Sequence, residues 1–176
     1  MEAKNLADLY DLPMLDWDPV ETQLGPALTQ EPGTGGPDRH TCWLSTVDPG
    51  GAPHVTGVGA FWDAGAFWIV TGKTTRKGRN LLAEPRCAVS VSTRDYDLCV
   101  EGTAALVSDT GQVARIVAVA SAAGWPAEVD ATGTAVTAPY SAPSAGPPPW
   151  SVFRIEPRSA TALSVHEPGG ATRWTF

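Results

Sequence analysis

The run Phe67-Trp-Ile-Val-Thr-Gly-Lys-Thr-Thr-Arg-Lys-Gly-Arg-Asn-Leu-Leu-Ala-Glu-Pro85 reads as an apolar strand that passes directly into a short helix. Pro85 has to end that helix, because the residue before a proline avoids helical dihedrals. Thr74 or Thr75 can cap its start. Lys73, Arg76, Lys77 and Arg79 place four cations within seven positions, in a chain of formal charge −7. A helix N-terminus presents free N–H groups and a positive dipole end to an anion. Hydroxyls and cations at the same place add charge-assisted hydrogen bonds. The stretch therefore reads as a phosphate anchor. The plainer alternative is a solvated basic helix face; the contrast with an acidic chain, and the position directly after a strand, favour the anchor. The glycine spacing fits neither a nucleotide P-loop nor a dinucleotide fingerprint.

Working outward, turn signals cut the flanking sequence into short strands. Upstream, His40–Val47 is rich in β formers and stops at Asp48-Pro-Gly-Gly51. Val55–Trp62 follows with Gly57 and Gly59 inside it, and glycine in a strand marks a bulge or a close backbone approach. After Asp63-Ala-Gly65 comes Ala66–Thr71. Downstream, Cys87–Thr93 and Leu98–Val107 flank a polar turn, Arg94–Asp97. Asp109 opens a helix whose Val113, Ile116, Val117 and Ala120 recur at helical spacing, with Gly124 as its C-cap. Residues 124–149 form a long Pro- and Gly-rich segment, the composition of a lid or mobile loop. Trp150–Ile155 is closed by Pro157, Ala160–Val165 follows, and Thr172–Phe176 ends the chain.

Residues 1–38 read as an irregular acidic strap plus a helix capped by Asp18, with Pro19 first and Leu28 near its end, and then a breaker-rich loop from Gln30 to Asp38. The organisation expected is one domain: strap and short helix over 1–38, barrel over 39–166, tail over 167–176. The fold class is mainly β (α+β), an antiparallel closed barrel with two or three peripheral helices, since closure removes exposed strand edges.

Composition narrows function. An acidic balance argues against a nucleic-acid partner, and no run reaches the length of a membrane-spanning helix. The N-terminal residues carry early acids and no apolar core, so no signal peptide is expected and the location expected is cytoplasmic. Cys42, Cys87 and Cys99 lie far apart, which suits buried free thiols in a reducing compartment and gives no metal site. Most of the seven tryptophans are expected in the core.

Pro53-His54-Val55, Phe61-Trp62, Phe67 to Gly72, Thr75-Arg76-Lys77 with Asn80-Leu81 and Glu84-Pro85-Arg86, then Ala88-Val89-Ser90-Val91 and Val100-Glu101-Gly102-Thr103-Ala104, succeed one another in this order. That succession, from about His40 to Leu163, resembles the pyridoxamine 5′-phosphate oxidase-like family of flavin- and deazaflavin-binding split barrels. The resemblance implies a split β-barrel and a homodimer with two cofactors in clefts between subunits. It implies that Thr75, Arg76 and Lys77 hold the phosphate of F420 or FMN, and that Asn80 matches an asparagine of F420-binding relatives. It implies that the backbone of Val55, Thr56, Gly57 and Val58 lies along the ring, that Val70, Thr71 and Gly72 line its edge, and that Trp150, Arg173 and Trp174 come from the partner subunit. The C-terminal region departs from true pyridoxamine phosphate oxidase, so vitamin B6 oxidation is not expected.

The activity expected is an F420H2-dependent reductase of a small, flat, conjugated molecule. An FMN-dependent oxidase or reductase is the alternative, as is a non-catalytic binder of flavin, F420 or haem, or a dimer that has lost its cofactor. In such enzymes the cofactor supplies the hydride chemistry, and no catalytic side chain is assigned. His54 has a pKa suited to proton transfer but reads more simply as a strand-end histidine. Tyr96 and Tyr140 read as packing or surface residues, His166 and Glu101 as solvent-facing ones.

Overall fold

Period-two alternation of apolar residues builds most of the chain. The computed structural model describes residues 1–25, 28 and 41–176. Among them run β1 (Glu2–Asn5), α1 (Trp17–Thr22), β2 (Cys42–Val47), β3 (Pro53–Val58), β4 (Ala60–Asp63), β5 (Ala66–Thr71), α2 (Arg76–Ala83), β6 (Arg86–Ser92), β7 (Tyr96–Val107), α3 (Thr110–Ala122), β8 (Glu128–Val129), β9 (Val136–Thr137), β10 (Ser151–Ser164) and β11 (Ala171–Thr175). The main sheet is antiparallel in the order β1-β11-β10-β7-β6-β2-β3, and β5 adds to β10 and carries β4. This is the antiparallel split barrel with peripheral helices that the resemblance implies. The expected loop from Gln30 to Asp38 and the expected strand start at His40 lie outside the described residues.

The 14-residue β10 is the hinge of the architecture. One edge pairs with β7 along its length; the other pairs with β5 over Ser151–Ile155 and with β11 over Ser159–Leu163. Pro157 was expected to close a strand there. Instead it sits in the gap between β5 and β11, at a register shift between Pro157 and Ser159, where its missing N–H is not needed. Gly102 opposite makes the bulge possible, because a Cβ there would lie 2.4 Å from the Glu156 carbonyl oxygen.

Inward residues of the strands, among them Leu44, Phe67, Ile69, Val89, Val100, Phe153 and Ile155, fill the barrel. The neighbouring residues Phe61, Trp68 and Val152 face the other way and pack on Val113, Ile116 and Ala120 of α3 with Trp125 and Trp150. α1 closes one end: the Trp17 ring lies edge-on to Trp174 at 5.2 Å and to Trp62 at 6.2 Å. Glu21 accepts from the indole N–H of both Trp17 and Trp62.

Several expectations shift. α1 begins after Asp16 rather than Asp18 and ends at Thr22 rather than near Leu28. Its buried face needs only Trp17 and Val20, and the chain turns at Gln23 and Leu24. Val55–Trp62 is two strands broken at Gly59. The strap contributes a strand, β1, which pairs with β11, so both ends of the chain join the barrel sheet. α3 is capped as expected, with the Asp109 carboxylate accepting from the Gln112 N–H at 2.8 Å. Gly124, at φ +87°, lets its own N–H and that of Trp125 bond Ser121 and Ala120.

Candidate functional site

β3 ends the sheet order, pairing only with β2 among the described residues, while β5 pairs with β4 and β10. The barrel is therefore split between β3 and the end of β5, and α2 starts at that split. Thr75 is the α2 N-cap: its hydroxyl accepts from the Gly78 N–H at 3.1 Å, donates to the Gly72 carbonyl at 2.8 Å, and lies 3.2 Å from the Thr71 hydroxyl. The turn is tight because Gly78 packs on it, where a Cβ would sit 2.3 Å from the Gly72 carbonyl oxygen.

The four cations of the opening stretch part company here. Lys77 is 3 % exposed, and its ammonium donates to the Ser144 carbonyl at 2.5 Å. Burial lowers its pKa. Arg76 is exposed and lies 3.6 Å from the Asp48 carboxylate, in the β2–β3 turn. Arg79 bends back to the Thr74 carbonyl, and Lys73 is exposed. Asn80 is buried and donates to the Thr46 hydroxyl at 3.0 Å, tying α2 to β2. His54 is the register partner of Thr46. Its pKa is lowered by desolvation and then by the charges of Arg76 and Lys77, so it stays neutral at pH 7.

The fold brings Thr75, Arg76, Lys77 and Asn80 to one corner with Val70, Thr71 and Gly72 at the end of β5. Val55, Thr56, Gly57 and Val58 form the strand on the far side of the split. Trp174 lies elsewhere, in the barrel's apolar cluster, whereas Trp150, buried in the other cluster, sits beside the corner: its indole N–H donates to the Gly146 carbonyl at 2.7 Å, and its neighbour Ser151 pairs with Thr71. Arg173 is on the outer sheet face, 2.9 Å from Glu101. Cys42 and Cys87 are buried free thiols, each pushed up to about 12 by desolvation; Cys99 is also free and half-buried. His166 is exposed and pairs with Asp95 at 2.9 Å, and Tyr140 is exposed.

Sequence reading missed the side of the site supplied by residues 124–149. A 3₁₀ turn, Pro143–Ala145, sits across the split. The Ser144 hydroxyl donates to the Gly57 carbonyl at 3.4 Å, and the Gly72 N–H donates to the Ala145 carbonyl at 2.9 Å. The signal was the length of that segment, which pointed to a lid without naming its docking residues. Thr46 and Asp48 were also missed, being ordinary strand and turn residues in sequence.

The corner has the chemistry of an anion site. A buried ammonium faces a neutral carbonyl, a second cation stands at the rim, and both belong to the N-terminal turn of α2. Nothing here resembles a nucleophile–base pair. Among the described residues, no helix is long and apolar enough to cross a membrane.

Solved structures share the fold. One is a putative 5-nitroimidazole antibiotic resistance protein from Bacteroides thetaiotaomicron VPI-5482, with 13 % identity over 99 % of this chain and 93 % of that one, at a TM-score of 0.57. A NimC/NimA family protein from Clostridium acetobutylicum matches at 12 % identity over 90 % of each chain, with a TM-score of 0.56. A pyridoxamine 5′-phosphate oxidase-related, FMN-binding protein from Nostoc punctiforme PCC 73102 matches at 16 % identity over 74 % of this chain and 78 % of that one, with a TM-score of 0.50. At such identities the likeness carries the fold alone. No curated protein matches the chain. The family model for pyridoxamine 5′-phosphate oxidase matches residues 34–163, from before β2 nearly to the end of β10. Both sides of the split and the whole α2 corner lie inside that match, β1 and β11 lie outside it, and the chain belongs to the pyridoxamine 5′-phosphate oxidase family.

Proposed function

We propose that the chain is a flavin- or deazaflavin-dependent oxidoreductase that holds its cofactor's phosphate at the α2 corner and its ring in the split between β3 and β5. The observation that carries this reading is Lys77: a cation this buried, partnered by a carbonyl dipole rather than a carboxylate, is short of one negative charge. A phosphate supplies it. Arg76 stands at the rim to add a second contact, and the first amides of α2 complete the donor set. When bound, the ring supplies the hydride chemistry on a small conjugated substrate. The chain's own part is to fix the phosphate, lay the Gly57 backbone along the ring and keep the split dry.

Two cofactors fit the family. The F420 reading expected from sequence rests on Lys77 and Asn80, with Arg79 nearby, to serve a longer anionic tail. Here Arg79 is turned to Thr74, and Asn80 is buried against Thr46. One buried cation for one phosphate favours FMN. Fluorescence titration of the purified protein with FMN and with F420 tests it. Micromolar binding of FMN is expected, weakened at least about tenfold by Arg76→Ala plus Lys77→Ala, the loss for hydrogen bonds to charged groups. Tighter binding of F420 reverses the cofactor choice, and binding of neither sinks the proposal. Consumption of the reduced cofactor on adding a conjugated acceptor separates an enzyme from a carrier or store.

A homodimer is part of the same reading. The register row Gly57, Trp43, Ser90, Cys99, Thr161, Arg173 runs across one outer face of the sheet. Its small central residues lie between exposed apolar ones, with Trp43 at 52 %, Val55 at 56 % and Leu163 at 51 % exposure. Trp43, Ser90, Cys99, Thr161 and Leu163 line a hollow of about 690 Å³ there. A second copy covering this face would bring its Arg173 close to the first copy's β3. Molar mass in solution, with Trp43→Arg expected to lower it, checks the assembly.

A further inference from the structure

We propose that the 3₁₀ turn Pro143–Ala145 is a plug for the split, latched by Lys77, and that an anionic ligand opens it by taking the Lys77 ammonium away from the Ser144 carbonyl. The proposal rests on the anion reading of the α2 corner and adds how that corner is regulated.

Three contacts seat the turn, one on each wall of the site. Ser144 reaches β3 through the Gly57 carbonyl, Ala145 reaches the end of β5 through the Gly72 N–H, and the Ser144 carbonyl reaches α2 through Lys77. A lone sheet edge leaves backbone groups unpaired, and the turn supplies partners to both sides of the split. The fit leaves no room for a second occupant. A Cβ on Gly72 would lie 3.0 Å from the Ala145 carbonyl oxygen, and one on Gly146 would lie 3.2 Å from the Thr75 methyl. A ring or phosphate between the turn and α2 therefore requires the turn to leave.

The turn is built to leave. Residues 142–144 and 147–149 are exposed, and Ala145 alone is buried between them. The chain on either side is fixed: Trp125 holds the Tyr140 carbonyl at 2.7 Å, and Trp150 exchanges backbone bonds with Val136 at 2.8 Å. The Trp150 indole N–H also holds the Gly146 carbonyl at 2.7 Å, so motion is confined to the span between Tyr140 and Gly146. The latch is electrostatic. In the closed state the buried ammonium has a carbonyl dipole; a ligand phosphate offers it a full charge in the same low-dielectric setting. The ligand shifts the turn by as much as its preference for the open state allows.

Hydrogen exchange read by mass spectrometry tests both parts, on the full chain, with FMN and inorganic phosphate as probes. Lys77→Met keeps the volume of the side chain and removes the charge. It is expected to raise exchange in peptides covering 141–147 and the Gly72 amide by about tenfold or more, with β6 and β7 unchanged. Unchanged exchange at 141–147 in that variant overturns the latch, whatever the protein binds. In the wild type, saturating FMN or phosphate is expected to raise exchange over 141–147, where simple burial under a lid would lower it. A fall in exchange there overturns the plug. Replacing Pro143-Ser144-Ala145 by three glycines melts the turn and is expected to tighten FMN binding about tenfold; weaker binding also overturns the plug. If neither probe binds the wild type or the glycine variant, the anion reading itself has failed, and the plug fails with it as a ligand-operated device.

Discussion

Gly78→Ala sets two physical effects against each other at the centre of the site. Gly78 lies in the first turn of α2, and a glycine in a helix costs about 1 kcal/mol relative to alanine. Propensity alone therefore predicts a more stable protein. Packing predicts the reverse. The new Cβ would lie 2.3 Å from the Gly72 carbonyl oxygen and 3.1 Å from Cα and the carbonyl carbon of Lys73. All three atoms are backbone, so no rotamer change relieves the contact; α2 or the Gly72–Thr75 turn must move. Forcing extra volume into a packed site costs roughly 1–3 kcal/mol and occasionally more. Displacing the turn also strains the Thr75 cap, itself worth about 1 kcal/mol. The clash wins, with an expected net loss of about 1–2 kcal/mol, or roughly 3–6 °C in Tm for a chain of this size. Urea unfolding followed by tryptophan fluorescence reads the midpoint, since six of the seven tryptophans are buried or half-buried. An unchanged or raised midpoint would refute the reasoning, because it would mean that α2 packs less closely on the β5 end than the geometry states.

Trp174→Ala separates a core role from a partner-subunit role for the C-terminal strand. Trp174 is 1 % exposed and meets the Trp17 ring at 5.2 Å, so truncation is expected to cost about 3–5 kcal/mol. A loss below about 1 kcal/mol in chemical denaturation would return this residue to the ligand site of a neighbouring subunit. Glu84 bears on acid stability. Hydrogen bonds from the Arg86 side chain, foremost, and then its backbone N–H hold its carboxyl at about 2, below the ordinary 4.5. A depressed carboxylate pKa contributes stability above the unfolded value and loses it as pH falls through the folded one. The window is therefore pH 4.5 down to 2, and Glu84→Gln is expected to flatten that part of the stability profile. Because the pair is exposed, 1 M salt should shrink the difference; a difference confined to pH above 5 would contradict the assignment.

The strands were legible where burial alternates and obscure where topology decides. Ala66–Thr71 was bounded correctly from sequence because Gly65 and Gly72 punctuate it, and Asp109 and Gly124 mark both ends of α3. Pro157 misled for a physical reason. A proline stops a strand only if its N–H is wanted, and whether it is wanted depends on which neighbour lies opposite. The two sides of that gap are remote in sequence: Phe67 pairs with Ile155 across 88 residues, and Thr175 pairs with Ser159 across 16. No local pattern encodes it. The strap hid its strand likewise: β1 is short and mostly exposed, and it becomes a strand only because β11, itself paired with β10, is there to receive it.

The site divides along the same line. Thr75 as cap and the end of α2 before Pro85 follow from local rules, and both stand in the structure. What the cations do could not follow from their spacing, because four cations over seven positions, three of them on α2, point in different directions. Position 77 turns inward to the split, positions 73, 76 and 79 turn to solvent, and only the fold says which is which. The buried one is the informative one. A lysine that faces solvent needs no counter-charge, whereas a lysine sealed under a 3₁₀ turn against a carbonyl does. The functional content of the opening stretch thus rests on one ammonium and on the segment, 67 residues later, that covers it.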